Sequence, residues 1–415
     1  MELSPPTEPA AASLRRLPPN VWATGATSFF MDISSEMVLN ILPLFLANVL
    51  RVNTSTIGII EGVAEAIASL LKLFSGWLSD RLRSRKWLAV AGYAISALSK
   101  PFFYAASSTG MVAAARWADR IGKGIRTAPR DALVADSVRE TQRGLAFGLH
   151  RALDTAGAMV GLLIALIVVW LAQANSMVLG LNTFQTIVLL SLIPAFLAVA
   201  TIALGTRDVT VHGQGVMPRF AFRALGKRFV VFMLIVSIFD LGNSSDAFLV
   251  LRAQSLGMSV VGILGMLLIF NLIYTLISTP AGKLSDRLGR RRIIIVGWLI
   301  YAAIYGGFAL ARTGWQVWVL YALYGLYYGL AFGASKALVA DLVPEALRGT
   351  AYGTYNAVLG LLDFPASALA GFLWERFGAA TPFGFGAALA LLAALLMALW
   401  LPTVTAASPT PRRTP

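Results

Sequence analysis

The sequence contains no cysteine and only two histidines, His150 and His212. The first absence rules out disulfides, thiolate metal sites and cysteine nucleophiles. The second makes a histidine-based metal cluster an unsupported reading, so no metal and no resident cofactor are expected. Charge is also scarce: Asp, Glu, Lys and Arg make up 13% of 415 residues. There is no Gly-rich phosphate loop ending in Gly-Lys-Ser/Thr, since Gly226-Lys227-Arg228 fails at its last position, which excludes an ATPase within this chain. What remains is apolar: 57% of residues are hydrophobic and the mean hydropathy is +0.73. A soluble protein of this composition could not cover its own surface with polar groups, so its solvent is a lipid bilayer.

Apolar stretches long enough to cross a bilayer, about 20 residues each, recur at roughly 20–51, 55–79, 87–108, 110–136, 143–172 and 183–205. They resume at 229–252, 259–281, 293–311, 314–341, 349–375 and 382–402. The pattern predicts a tail at 1–19, a six-helix bundle at 20–205, a linker at 206–228, a second bundle at 229–402 and a disordered tail at 403–415. No cleaved leader is expected, because the first apolar run is long and holds Asp32 and Glu36. The net charge of +14 is not a nucleic-acid footprint. Arg81, Arg83, Arg85, Lys86, Arg139, Arg143, Arg207, Arg287, Arg290, Arg291, Arg292 and Arg348 fall in loops on one side. Only Arg51, Arg252, Arg312 and Arg376 fall on the other. The positive-inside rule therefore places both termini in the cytoplasm.

The two halves repeat. GWLSDR begins at 76 and GKLSDR at 282, 206 positions later; ALVAD begins at 132 and again at 337, 205 later; RGLAFG begins at 143 and RGTAYG at 348, again 205 later. Three matches in one order mark parallel copies, and a substrate site is expected between them near the midplane. The Gly-x-x-x-Asp-Arg pattern with its basic cluster, after the second and eighth stretches, resembles the signature loop of the major facilitator superfamily, across residues 20–402. The resemblance implies an all-α membrane protein of twelve transmembrane helices in two pseudo-symmetric six-helix bundles, usually a monomer. It also implies a multi-pass protein of the bacterial cytoplasmic (inner) membrane. By resemblance, Gly76, Asp80, Arg81, Arg85, Asp136 and Arg143 form a cytoplasmic gate, with Gly282, Asp286, Arg287, Arg290, Asp341 and Arg348 as their second copy. Arg83 stands where the family usually has Gly while the second copy keeps Gly289, so the first turn is expected to differ in shape. A closer likeness is to a bacterial subgroup whose fourth helix resembles DRIGKGIRTAPRDAL, here at 119–133.

That fourth stretch holds Arg116, Asp119, Arg120, Lys123, Arg126, Arg130 and Asp131. Positions 116, 120, 123, 127 and 130 fall on one helical face. Ionised side chains in hydrocarbon cost about 2.5–3.5 kcal/mol each on insertion scales, so they face a cavity or a partner. Two readings stand: an anion site built on Arg116, Arg120 and Lys123, or a charge network closed by nearby acids. Asp32 and Glu36 share a face of the first stretch, Glu61 and Glu65 a face of the second, and Asp154 follows His150 and Arg151 by one turn. These five acids are the candidates for carrying a proton. His150, Arg151, Asn271 and Tyr324 complete the candidate substrate-binding set. Gly157 and Gly161 are read as a close helix contact. Asp240, Ser244, Ser245 and Asp246 echo the Asp-x-Ser-Ser-Glu run of the first stretch, and Tyr301, Tyr305, Tyr321, Tyr324, Tyr327 and Tyr328 give the second half an aromatic character.

The expected function is secondary transport of a small molecule by alternating access, driven by a proton gradient and requiring no cofactor. Export of an organic solute or drug comes first, and proton symport of an anionic metabolite second. A membrane-embedded enzyme using Asp32 with Glu36 is the competing class.

Overall fold

The computed structural model describes residues 17–139, 142–209, 225–344 and 347–400. Most of the expected tails and linker lies outside these. All regular structure among the described residues is helical: α1 (Pro19–Leu39), α2 (Leu42–Asn48), α3 (Thr54–Leu82), α4 (Lys86–Tyr104), α5 (Thr109–Asp136), α6 (Arg143–Gln173), α7 (Leu181–Gly205), α8 (Lys227–Leu241), α9 (Ala247–Ser255), α10 (Val260–Leu288), α11 (Arg290–Leu310), α12 (Gly314–Asp341), α13 (Arg348–Phe377) and α14 (Thr381–Trp400). The twelve predicted stretches become fourteen helices because the first and seventh are each interrupted. α1 gives way to α2 beside Asn40, and α8 to α9 beside Gly242. Among the described residues, eight segments are long and apolar enough to cross a membrane by length and composition. The others, α3, α4, α5 and the short α8 and α9, include the helices that carry the intramembrane charges.

The described residues form two compact units, one drawn from Met1–Leu50, Leu70–Ala174 and Leu179–Met217, the other from Arg51–Ser69, Asn175–Val178 and Pro218–Pro415. Leu17, placed in the tail by sequence, is instead packed with Val21, Val134 and Ala146 of the first unit, because an isolated leucine beside an apolar helix start has a surface to bury. The first half of α3 belongs with the second unit. There a Cβ on Gly62 would lie 2.8 Å from Phe364 Cα, so α3 and α13 meet backbone to backbone.

Small residues set the helix crossings that place the polar groups. In the first unit, Gly92 of α4 lies against the backbone of Arg126, and Gly122 of α5 against that of Ser96, where a Cβ would come within 2.7 and 2.8 Å of a backbone nitrogen. Gly157 and Gly161 of α6 lie against Phe29 and Ile33 of α1, the close contact predicted for them. Helix starts are capped at matching places. Ser108 accepts from the Met111 amide at 3.3 Å, and Thr313, 205 positions later, forms a capping box with Gln316, satisfying amides that have no partner within the helix.

Candidate functional site

The charged interior of the first unit lies at the α4–α5 crossing. Lys100, in the last turn of α4, has no exposed surface; its ammonium lies 3.9 Å from Asp119 and 3.5 Å from the Ser35 hydroxyl of α1. Arg116 reaches the other Asp119 oxygen at 4.0 Å, and Arg120 is buried one turn further on. Arg126 donates to Ser96 and lies over the Tyr93 ring at 4.7 Å, a cation–π contact. Ser96 in turn donates to the Asp119 carbonyl at 3.0 Å. Asp119 is thus the carboxylate at the centre of a set of cations. Lys123, on the face predicted for substrate, is exposed.

A second network joins α1, α4, α5 and α6. The Ser28 hydroxyl meets His150 Nε2 at 2.9 Å and the Tyr93 hydroxyl at 3.3 Å, and accepts from Arg130 at 3.1 Å. Arg130 forks onto Asp131 at 3.0 and 2.8 Å. One turn along both helices, the carboxyl of Asp32 meets that of Asp154 as a hydrogen-bonding partner. Arg151, largely exposed, holds the Asp154 carboxylate at 3.1 Å. Glu36 accepts from Asn40 at 2.7 Å. The structure therefore brings Asp32, Asp154, His150 and Arg151 together. Glu61 and Glu65 lie on the part of α3 that packs with α13, Glu61 buried and Glu65 half-buried.

In the second unit Asn271 donates to the Leu267 carbonyl of its own helix at 3.0 Å. Tyr324 is buried and donates to Asp246 at 3.2 Å.

The two signature loops are held alike. Arg85 bonds Asp80, Asp136 at 3.3 Å and the Ser79 hydroxyl at 2.7 Å; Arg290 bonds Asp341 and the Ala337 carbonyl, each at 2.5 Å. Arg81 lies against the Trp77 ring. Arg143, Arg287 and Arg348 are exposed and Gly76 is half-buried. The side-chain surroundings of Gly282 and Asp286 lie outside the described residues.

Two functional contacts escaped the sequence reading. Lys100 is the lone charge inside the stretch 87–108, and that isolation in an apolar run was the available signal. Asp208, just past α7, accepts from the Ser84 hydroxyl at 2.6 Å and from the Arg85 and Lys86 amides at 2.9 and 3.1 Å. It caps α4 from a distant part of the chain, and nothing in a loop aspartate announces that. Partial burial pushes its carboxyl upward, but the bonds from Ser84 and those amides outweigh it and hold Asp208 below the usual carboxylate range.

Comparison with known proteins fits this arrangement. The profile of the Major Facilitator Superfamily matches residues 24–362 and 230–415. The chain belongs to that superfamily. It is 34% identical over 389 residues to an uncharacterized MFS-type transporter of Methanocaldococcus jannaschii, covering 92% of this chain and 95% of the relative. Among solved structures, a nucleoside transporter superposes with a TM-score of 0.77 at 15% identity, over 92% of this chain and 100% of that one. A D-xylose-proton symporter superposes at 0.74 with 18% identity, over 92% and 97%. At such identities the two structures establish the shared fold. The chain is a multi-pass membrane protein of a transporter family.

Proposed function

We propose that this chain is a proton-coupled secondary transporter of the bacterial cytoplasmic membrane, with both termini in the cytoplasm, exporting a small organic solute by alternating access. The observation that carries the proton coupling is the meeting of Asp32 and Asp154. Two carboxyl groups within hydrogen-bonding reach do not both ionise at low cost, so in this reading the pair shares one proton. Taking up or releasing that proton changes the charge bridging α1 and α6, and Arg151 and the His150–Ser28–Arg130 chain stand ready to answer the change. The ion pairs Arg85–Asp136 and Arg290–Asp341 act in this reading as releasable ties of a cytoplasmic gate.

A second reading, proton symport of an anionic metabolite, is favoured by one observation: Lys100, Arg116, Arg120 and Arg126 gather around Asp119.

The test is solute movement in proteoliposomes under an imposed pH gradient, using labelled organic cations and organic anions in parallel. Accumulation that is abolished by nigericin and by Asp32→Asn supports proton coupling. Accumulation that persists undiminished in both cases rejects it, and the sign of the accumulated solute separates the two readings.

A further inference from the structure

The second unit contains a buried acid that none of the preceding argument uses. Asp240 ends α8, where the chain breaks before α9, and is 7% exposed. The Asn243 side chain hydrogen-bonds its carboxyl, while its Oδ2 is buried and receives no hydrogen bond. The other charge acting on it is a second carboxyl, Asp363 of α13. A buried carboxylate oxygen without a donor is costly, and a like charge beside it adds to the cost. The guanidinium of Arg252, on α9, is spent on the carbonyls of Phe308 and Ala311, at 3.1 and 2.9 Å.

What surrounds this acid is aromatic. Tyr327 and Tyr355 lie within range of the Asp240 charge, and Tyr324 and Tyr328 within range of Asp246. On α12 the rings of Tyr324 and Tyr327 stand 5.6 Å apart and those of Tyr327 and Tyr328 5.4 Å, the latter pair edge to face. Asp246, Asp363 and Tyr328 are half-buried, so the acid–aromatic cluster has an accessible side.

We infer that Asp240, backed by Asp363 and walled by Tyr327 of α12 and Tyr355 of α13, is a binding site for a monovalent organic cation. A proton alone does not complete it, because a protonated Oδ2 would have no acceptor to donate to. A bare metal ion asks for oxygen ligands on several sides. Here the walls are ring carbons, and no group of three acidic, histidine or cysteine side chains converges among the described residues. An ammonium or phosphonium presenting carbon to the ring faces and charge to the carboxylate meets both features. This inference rests on the export reading and deepens it, naming the solute as a lipophilic cation.

The test is equilibrium binding of labelled tetraphenylphosphonium to the full-length chain in detergent. The expected result is saturable binding, displaced by unlabelled cation and not by citrate. Asp240→Asn should weaken it at least tenfold, about 1.4 kcal/mol, and Tyr327→Leu should weaken it severalfold. Asp240→Glu should keep most of it. Because Asn is isosteric and removes an uncompensated charge, Asp240→Asn should melt no lower than the parent, so its loss of binding reads the site and not the fold. Absence of saturable binding in the parent, or equal binding by Asp240→Asn, overturns the inference. Proton-driven transport is read separately. If binding stands while Asp32→Asn transports normally, the proton reading falls and the cation site survives. If a pH gradient drives other solutes while Asp240→Asn binds like the parent, the cation site falls alone.

Discussion

In the first unit α5 turns Arg116 and Asp119 into the interior and carries Lys123 on the same face. At the same displacement of 205 that relates the ALVAD motifs, α12 carries Tyr321, Tyr324 and Tyr328. The scaffold around these positions is unchanged. Gly92 packs on Arg126, and Gly297, 205 positions later, on Ala331; Ser108 and Thr313 cap the two helices alike. One copy fills the crossing with ion pairs, the other with stacked rings such as Tyr301 on Tyr305 at 4.0 Å. A duplicated bundle thus keeps the contacts that fix helix approach while its interior chemistry diverges, because the glycine contacts depend on backbone and not on the polarity of what lies beside them.

The largest test of this contrast removes one carboxylate from each interior. Asp119→Asn leaves Lys100, Arg116, Arg120 and Arg126 with one anion fewer in a buried setting and should cost about 3–5 kcal/mol, seen as a steep fall in melting temperature in detergent. Asp240→Asn, in the aromatic interior, should be neutral or slightly stabilising. Equal losses would erase the distinction between a charge-balanced and an acid-strained core.

The next test compares the two signature loops. Gly289 sits at φ 89, ψ 134, outside the left-handed well near ψ +30 to +60 that other residues enter. Gly289→Ala should therefore cost about 1–3 kcal/mol, measurable as a lowered melting temperature.

A smaller effect is expected at Asp208, which holds the first loop and has no counterpart among the described contacts of the second unit. Its lowered folded-state pKa means that its contribution is fully present above the ordinary aspartate value of 3.8 and is lost as pH falls through the folded value. Asp208→Asn should thus melt slightly below the parent at a constant margin from pH 8 to 5, with the margin closing below pH 4. A margin that widens on acidification would contradict the capping role.

The repeat, the long apolar runs and the loop signature made the family legible, since each is a periodic or local property of the chain. That Gly157 and Gly161 make a close helix contact was legible too, because they are spaced as small residues at such a contact; that the neighbour is α1 was not. The partners were not. That Asp32 meets Asp154 rather than Glu36, or that Asp119 is shared by Lys100 and Arg116, follows from helix rotations and crossings that a single sequence does not encode visibly. Lys123 shows the limit of face arguments: it shares a helical face with Arg116 and Arg120, yet they are buried and it is exposed.

Arg83 sharpens the comparison most finely. It occupies the position of Gly289 and also has positive φ, at 52 against 89, so the first turn is left-handed without glycine, and the expected difference in shape is one of degree. An L-residue there costs roughly 1–2 kcal/mol. Glycine would remove that strain but add about 0.5–1 kcal/mol of unfolded-state entropy. Arg83→Gly should therefore change stability by no more than about 1.5 kcal/mol, in the favourable direction. Arg83 is exposed, so little packing is lost with its side chain. A destabilisation comparable to that of Gly289→Ala would mean that the Arg83 side chain, and not the backbone geometry, holds the first turn, and the two loops would then be alike in sequence pattern but not in physical cause.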